Sequence, residues 1–390
     1  MSRYHAYLNT AATIVSKYKG ETPLALYLKQ FFAANKKYGS TDRKQIAQLC
    51  YAYYRLGHAM PALPVAEKML QAYFICNNNA SAFLETLRPE WNRVADAPLP
   101  EKLSILPNPI LPNEIFPFTN DISDTVQPVA YSQSFLQQPN LFLRIRPGHT
   151  DKVKAKMQAF DIQFIIEGNC VKLPSGTNTK LFTDADAETV VQDYNSQKVL
   201  DYLMNAPEKA NMGKPKVWDC CAASGGKSIL AYDIFDGNIE LTVSDIRETI
   251  LANLKQRFYN AGIKKYNSII ANLEAGERPI QNVLYDIIIC DAPCTGSGTW
   301  ARTPEQLFFF KPAAIAEFSR RQKAIAANAA KGLKTGGLFF YITCSVFKSE
   351  NEVVAGWLAE TQPLQLLEMK ILEGYTIKAD TMFVAVFLKK

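Results

Sequence analysis

Between residues 4 and about 85 apolar side chains recur at intervals of three and four. Leu24, Leu26, Leu28, Phe31 and Phe32 form one stripe, and Ile46, Leu49, Cys50, Tyr53 and Tyr54 a second, the pattern of helices that bury one face. The run "GSTDRKQIAQLC" opens the second stripe with Ser40, Thr41 and Asp42 as candidate caps. From residue 87 to 130 the periodicity stops, and eight of the chain's 21 prolines fall there. Fixed φ angles and missing donors at that density predict a linker without regular elements. Beyond it "NLFLRIRP" reads as a strand, residues 150–160 as a short helix, and "FDIQFIIEGNCVKLP" as a hairpin turning at Glu167, Gly168 and Asn169.

From Lys216 onward short apolar runs alternate with helical stretches. "VWDCC", "IELTVSD", "NSIIANL", "YDIIICD" and "GLFFYITC" are the strands, with helices from about Gly226, over 247–260 and through 312–331. Strands apolar throughout and separated by helices predict a parallel sheet covered on both faces. "SENEVVAGWLAE" carries the spacing of a capping box from Ser349 to Glu352, and "MFVAVFLKK" closes the chain as a strand.

Four segments follow: a helical domain over 1–88, a Pro-rich linker over 89–138, a small αβ subdomain over 139–205 and a sheet domain over 206–390. The 390 residues are 48% hydrophobic and 21% charged, ordinary for a globular chain. No apolar stretch approaches the roughly 18 residues needed to span a bilayer, so a cytoplasmic protein without membrane contact is expected. Eight cysteines in a chain of this size predict reduced thiols rather than a disulfide framework. The net charge of +6 is unevenly spread: residues 1–60 hold nine Lys or Arg against Glu21 and Asp42, a balance of +7, and the other 330 residues sum to −1. A basic module on a near-neutral body predicts a polyanionic partner.

"DCCAASGGKS" (Asp219–Ser228) ends like a phosphate-binding loop, yet Cys221 stands where such a loop needs its first glycine. ATP binding is therefore not expected. In a doubly wound sheet ligands sit beyond the carboxyl ends of the strands. The small residues Ala222, Ala223, Ser224, Gly225 and Gly226 follow the first strand, and Asp245 ends the second, 19 residues beyond Gly226. An acid at that offset takes a ribose diol in dinucleotide folds, and S-adenosylmethionine carries the same diol. The fourth strand ends in Asp291-Ala292-Pro293-Cys294 and the fifth in Thr343-Cys344-Ser345, which brings two thiols and a carboxylate to one crevice. The three histidines, His5, His58 and His149, lie far upstream, so acid–base or nucleophilic chemistry falls to Cys, Asp and Lys. A metal site is not expected: adjacent Cys220 and Cys221 would point to opposite faces of a strand, and no Cys-x-x-Cys or histidine ligand accompanies them.

"DAPCTGSGTWARTPE" (Asp291–Glu305) and "ITCSVFKSENE" (Ile342–Glu352) resemble the two cysteine motifs of the Nop/Sun/Fmu family of RNA cytosine-5 methyltransferases. "DCCAASGGKS" is similar to that family's first motif, and "VQDYNSQ" (Val191–Gln197) to the segment leading out of its RNA-binding subdomain. "DRKQIAQLCYAYYRLG" (Asp42–Gly57) resembles, more loosely, the NusB-like domain of the RsmB branch. Three positions depart from the family pattern: Ser224 in place of proline, Asn272 in place of an acid near the adenine, and Arg146 where asparagine is frequent.

The resemblance implies a Rossmann-like class I methyltransferase sheet, an α/β fold with a small αβ RNA-binding subdomain and an all-helical NusB-like front. It implies S-adenosylmethionine held by Cys221, Ala222, Ala223, Ser224, Gly225, Gly226, Lys227, Asp245, Asn272 and Asp291. By the same resemblance Cys344 is the nucleophile, Cys294 assists proton loss and release, Asp291 bonds the ring edge and Lys227 lies near the cytosine. The partner would be RNA with an unstacked cytosine, in small-subunit ribosomal RNA given the NusB-like front, and the enzyme a monomer. A transfer RNA substrate, a DNA cytosine methyltransferase and a non-catalytic RNA-binding assembly factor remain as alternatives.

Overall fold

The structure is a computed structural model that describes residues 2–207, 212–277 and 283–390. The chain forms two compact units, one of residues 1–120, 127–138 and 299–312, the other of 121–126, 139–298 and 313–390.

The first unit is helical. Its longer helices are Arg3–Lys17, Leu24–Ala34, Ser40–Arg55 and Val65–Cys76, and the predicted stripes supply their core through Leu24, Leu28, Phe32, Ile46, Leu49, Cys50 and Tyr54. The third of these helices begins at Ser40, and Asp42 reaches back to accept from the Gly39 N–H at 2.7 Å. Regular structure does occur in the Pro-rich stretch, against expectation. Four short helices, Pro89–Asn92, Leu99–Ile105, Pro112–Ile115 and Pro128–Ser134, each carry proline in their first two positions. There the missing N–H has no intrahelical partner to lose and the fixed φ is already helical. Residues 299–312 join this unit with a further helix, Pro304–Phe309. Its Phe308 and Phe309 rings lie 5.3 and 6.0 Å from Tyr54, and Glu305 accepts from the Leu24 N–H at 3.1 Å.

The second unit contains two sheets. Strands β1 (Leu141–Ile145), β2 (Ile165–Glu167), β3 (Cys170–Leu173) and β4 (Thr189–Val191) form the small one, in the order β2-β3-β1-β4, with every pair antiparallel. The β2–β3 hairpin turns at Gly168, whose φ of 58° suits glycine. The helix Thr150–Ala159 covers this sheet with Val153 and Met157.

The large sheet holds β5 (Lys216–Asp219), β6 (Glu240–Asp245), β7 (Asn267–Ile270), β8 (Tyr285–Asp291), β9 (Leu333–Thr343), β10 (Leu364–Leu372) and β11 (Met382–Lys389). Their order is β10-β11-β9-β8-β5-β6-β7. Pairs among β5 to β9 are parallel, and β11 runs antiparallel to both neighbours. Alternate residues of the central strands feed two apolar layers, Val217, Ile287 and Ile289 on one face and Trp218, Ile288 and Cys290 on the other. This is a Rossmann-like sheet. The order reverses at β5, whose neighbours are β6 and β8, and that reversal places the binding crevice.

The expected capping box is not formed. The last long helix starts at Glu352, and Glu352 accepts instead from the Ser123 hydroxyl at 2.9 Å.

Candidate active site

Strand β5 ends at Asp219, and residues 220–225 make a turn that the helix Gly226–Ile234 follows. Ala223 (φ 46°) and Gly225 (φ 84°) take left-handed conformations in it. At Gly225 a side chain is excluded twice, by that φ and because a Cβ would lie 2.7 Å from Phe258. Arg257 braces the turn from outside, donating to the carbonyl and hydroxyl of Ser224 at 3.0 and 2.9 Å. Serine in the place of proline thus gains a fastening of its own. Inward, the Ala223 N–H donates to Asp245 at 3.0 Å.

Asp245 ends β6 at the wall of a cavity of about 440 Å³. It is no helix cap. The helix Glu248–Asn260 starts after Arg247, whose N–H and guanidinium donate to the Asp245 carboxylate at 2.9–3.1 Å. Burial pushes the Asp245 carboxyl up and the bonds from Arg247 push it down, and the result lies below the usual carboxylate range. Asn272 lines the same cavity and its side-chain oxygen accepts from the Ala275 N–H at 3.2 Å. Ile246, Leu273, Ala292 and Ile325 give the wall an apolar character. A carboxylate beside apolar walls fits the diol and base of an adenosine group.

The cavity's other end is the cysteine crevice. Strands β8 and β9 pair side by side, and the Cys294 and Cys344 sulfurs that follow them are 3.4 Å apart. The Cys294 thiol is pushed well above its ordinary value by its bond to Cys344 and then by burial. Lys227 donates to Asp291 at 2.5 Å. Burial alone would lower the Lys227 ammonium, but the Asp291 carboxylate holds it above its usual value. A close approach fixes the loops: the Gly298 N–H donates to the Cys344 carbonyl at 2.9 Å, and a Cβ on Gly298 would meet the Thr381 carbonyl at 2.0 Å.

Of the residues singled out in the sequence, Cys221, Ala223, Asp245, Asn272, Asp291, Cys294 and Cys344 line this one cavity. Ala222 is buried beneath it, Ser224 and Gly225 face Arg257 and Phe258, Gly226 opens the helix, and Lys227 reaches the site through Asp291. Arg146 is a structural residue. Its guanidinium is consumed by Asp233 and by the carbonyls of Asp186 and Ala261.

One expectation fails outright. Cys220 and Cys221 do not diverge, because the strand has ended before them, and their sulfurs lie with that of Cys290 within 4.8 Å of one another. Among the described residues these three thiols form a group that could hold a metal ion. All eight cysteines are free thiols. Sequence reasoning also misses two buried acids. Asp219 is fully buried, and burial pushes its carboxyl up to about 7; one of its oxygens accepts from Ser228 at 2.6 Å and the other has no partner. Glu350, also fully buried, lies behind the cysteine loops. Nothing in residue type marks either acid as buried; only the apolar runs ending at Asp219 and the Tyr341–Cys344 stretch near Glu350 hint at it.

Residues 203–388 match the family described as 16S rRNA methyltransferase RsmB/F. Among curated proteins the chain is 29% identical over 249 residues to the probable ribosomal RNA small subunit methyltransferase B of Synechocystis sp., covering 61% of this chain and 53% of that protein. It is 28% identical over 239 residues to the ribosomal RNA small subunit methyltransferase B of Proteus mirabilis, covering 59% and 54%. The chain spans about half the length of these curated relatives. Among solved structures, PH0851 superposes with a TM-score of 0.69 over 97% of both chains at 17% identity. NSun6 from Pyrococcus horikoshii, solved with SFG, superposes with a TM-score of 0.57 at 14% identity, over 67% of this chain and 94% of the other. At these identities the structures show the fold. Among the described residues no helix is long and apolar enough to cross a membrane.

Proposed function

We propose, from the match of residues 203–388 to the 16S rRNA methyltransferase RsmB/F family, that the chain is an S-adenosylmethionine-dependent RNA cytosine-5 methyltransferase. The observation that carries the reading is the pair of cysteine sulfurs 3.4 Å apart, beside the Lys227–Asp291 ion pair, at one end of a cavity whose other end holds Asp245.

S-adenosylmethionine, when bound, would supply an electrophilic methyl group to carbon 5, its sulfonium S–CH3 bond breaking to leave a neutral thioether. Asp245 and the Ala223 turn would hold its ribose end, with Asn272 at the base. Carbon 5 of cytosine is a poor nucleophile, so the ring is first activated by addition at carbon 6. The Cys344 thiolate forms that S–C6 bond, and the electron pair of the C5–C6 double bond moves toward the ring nitrogen. A thiolate suits this step, being soft and a good leaving group. Lys227 supplies the positive charge that favours the thiolate, and Asp291 bonds the ring edge. Once carbon 5 carries the methyl group, Cys294 assists removal of the carbon 5 proton. The electrons of that C–H bond restore the double bond and expel Cys344. A base inside a helix cannot reach these groups, so the target is an unstacked cytosine.

The substrate in this reading is small-subunit ribosomal RNA, consistent with the names of the relatives, and the basic helical unit supplies RNA affinity. The protein would act in the cytoplasm as a monomer. Bisulfite sequencing of RNA from cells with and without the protein tests the assignment. One cytosine protected only in its presence is expected, in small-subunit ribosomal RNA. Full conversion of every cytosine in both samples would contradict it.

A further inference from the structure

Behind the two reactive thiols lies a carboxylate that the proposed mechanism does not use. Glu350 is fully buried, yet four donors converge on it. The Thr295 N–H and the Gln322 amide donate to Oε2 at 2.9 and 2.8 Å. The hydroxyls of Thr295 and Ser345 donate to Oε1 at 2.6 and 2.7 Å. Thr295 follows Cys294 and Ser345 follows Cys344, so one side chain holds both cysteine loops. Gln322 also donates to the Pro293 carbonyl at 3.0 Å. Cys294 is thereby clamped on both sides, through Pro293 by Gln322 and through Thr295 by Glu350.

All four donors are neutral. A buried carboxylate costs free energy even when hydrogen-bonded, and a fully packed neutral core would be no less stable. Hydrogen bonding alone therefore does not explain an acid here. Its position does. Glu350 joins Thr295, which follows Cys294, to Ser345, which follows Cys344.

We propose that Glu350 is a positioning residue that fixes the two cysteine loops against each other, so that Cys344 and Cys294 keep their separate places in the reaction. The roles of two chemically identical side chains are then assigned by their surroundings. The upward displacement of the Cys294 thiol, to which Glu350 contributes after Cys344 and burial, agrees with this.

The inference rests on the proposed chemistry for its meaning, but its test does not need RNA. Alkylation of the full-length protein by iodoacetamide at neutral pH is followed separately at Cys294 and Cys344 by mass spectrometry. Cys344 reacts faster in the native protein. In Glu350→Gln, which keeps the shape but puts an amide nitrogen where an accepting oxygen stood, the Cys294 loop loosens, Cys294 speeds up and the ratio of rates falls by about threefold or more, since reactivity follows access as well as the thiolate fraction. Cofactor affinity stays unchanged by calorimetry, while kcat for methyl transfer falls without a rise in KM for RNA. An unchanged ratio in a folded Glu350→Gln protein overturns the proposal. Where that variant does not fold, Thr295→Val serves, since it removes one fastening of Glu350 and leaves the other three. A ratio shifted by about twofold supports the clamp, and an unshifted one overturns it. Absence of methylation in every variant, native chain included, would fault the assigned activity and leave the alkylation result standing.

Discussion

The two units of the chain use polar side chains in opposite ways. In the helical unit eight of the nine basic residues of segment 1–60 stay exposed. The ninth, Arg55, is buried and spends its guanidinium on the carbonyls of Phe135, Gln137 and Ala301 at 2.9–3.0 Å. In the sheet unit the polar groups near the cysteines are buried or half-buried and tied to one another: Thr343 to Asn351 at 2.6 Å, Ser345 to Glu350, and the half-buried Lys227 to Asp291. The first arrangement makes a long-range field that salt weakens. The second fixes atoms to within a fraction of an ångström, as covalent chemistry needs. A change in the crevice should therefore alter whether and how the reaction runs, and a change on the basic face only how tightly RNA is held.

That contrast can be tested in order of expected effect. Asp245→Ala removes a charged hydrogen-bonding group from the cavity wall and should weaken S-adenosylmethionine binding by about 1–3 kcal/mol in calorimetric titration. Affinity equal to the native protein's would place the diol elsewhere. Asp219 tests the buried state from another side. Its carboxyl, raised to about 7 from an ordinary 3.8, keeps in the folded protein a proton that the unfolded chain releases. Its contribution to stability is fully present below about pH 4 and is lost as pH rises to about 7. Asp219→Asn should remove that part of the decline, read as the difference between the two proteins' melting temperatures across this range. Parallel curves would show that Asp219 is ionised in the fold.

The smallest effect belongs to the basic face. Replacing exposed Lys29, Lys36, Lys37 and Lys44 by alanine should flatten the slope of log affinity against log salt by about 0.7 for each phosphate no longer neutralised, with methyl transfer at saturating RNA unchanged. An unchanged slope would make these lysines solvated surface only. Point substitutions are the cleaner tool here, because deleting residues 1–88 would also strip Tyr54 and Leu24 from the segment 299–312 that packs on them.

Much of this is legible in the sequence, for identifiable reasons. Apolar runs such as "YDIIICD" specify central strands because both faces of the sheet are covered, and the turn after β5, Asp245 and the two cysteines come together as strand-end positions must. Strand β10 escapes the pattern. At the sheet edge it needs no continuous apolar run, and a register shift between Leu366 and Glu368 breaks its alternation. The helix Pro304–Phe309 escapes it because its aromatic residues pack on the helical unit, so its pattern answers to partners distant in sequence. Cys220 and Cys221 are misplaced by one assumption, that the strand continues through them. Asp219, Glu350, Arg55 and Arg146 share another cause: charge is written in the sequence, but whether a charged group is buried and paired depends on tertiary packing.

Everything proposed for the crevice turns on the division of labour between its two cysteines, and denaturing electrophoresis of each alanine variant with substrate RNA and S-adenosylmethionine probes it directly. Cys344→Ala should methylate nothing and carry no RNA, since no sulfur adds to carbon 6. In Cys294→Ala, addition and methyl transfer still proceed but release stalls, so a protein–RNA adduct should survive denaturation and vanish on nuclease treatment. An adduct in Cys344→Ala and none in Cys294→Ala would reverse the roles, and full activity in both would reduce the pair to packing residues.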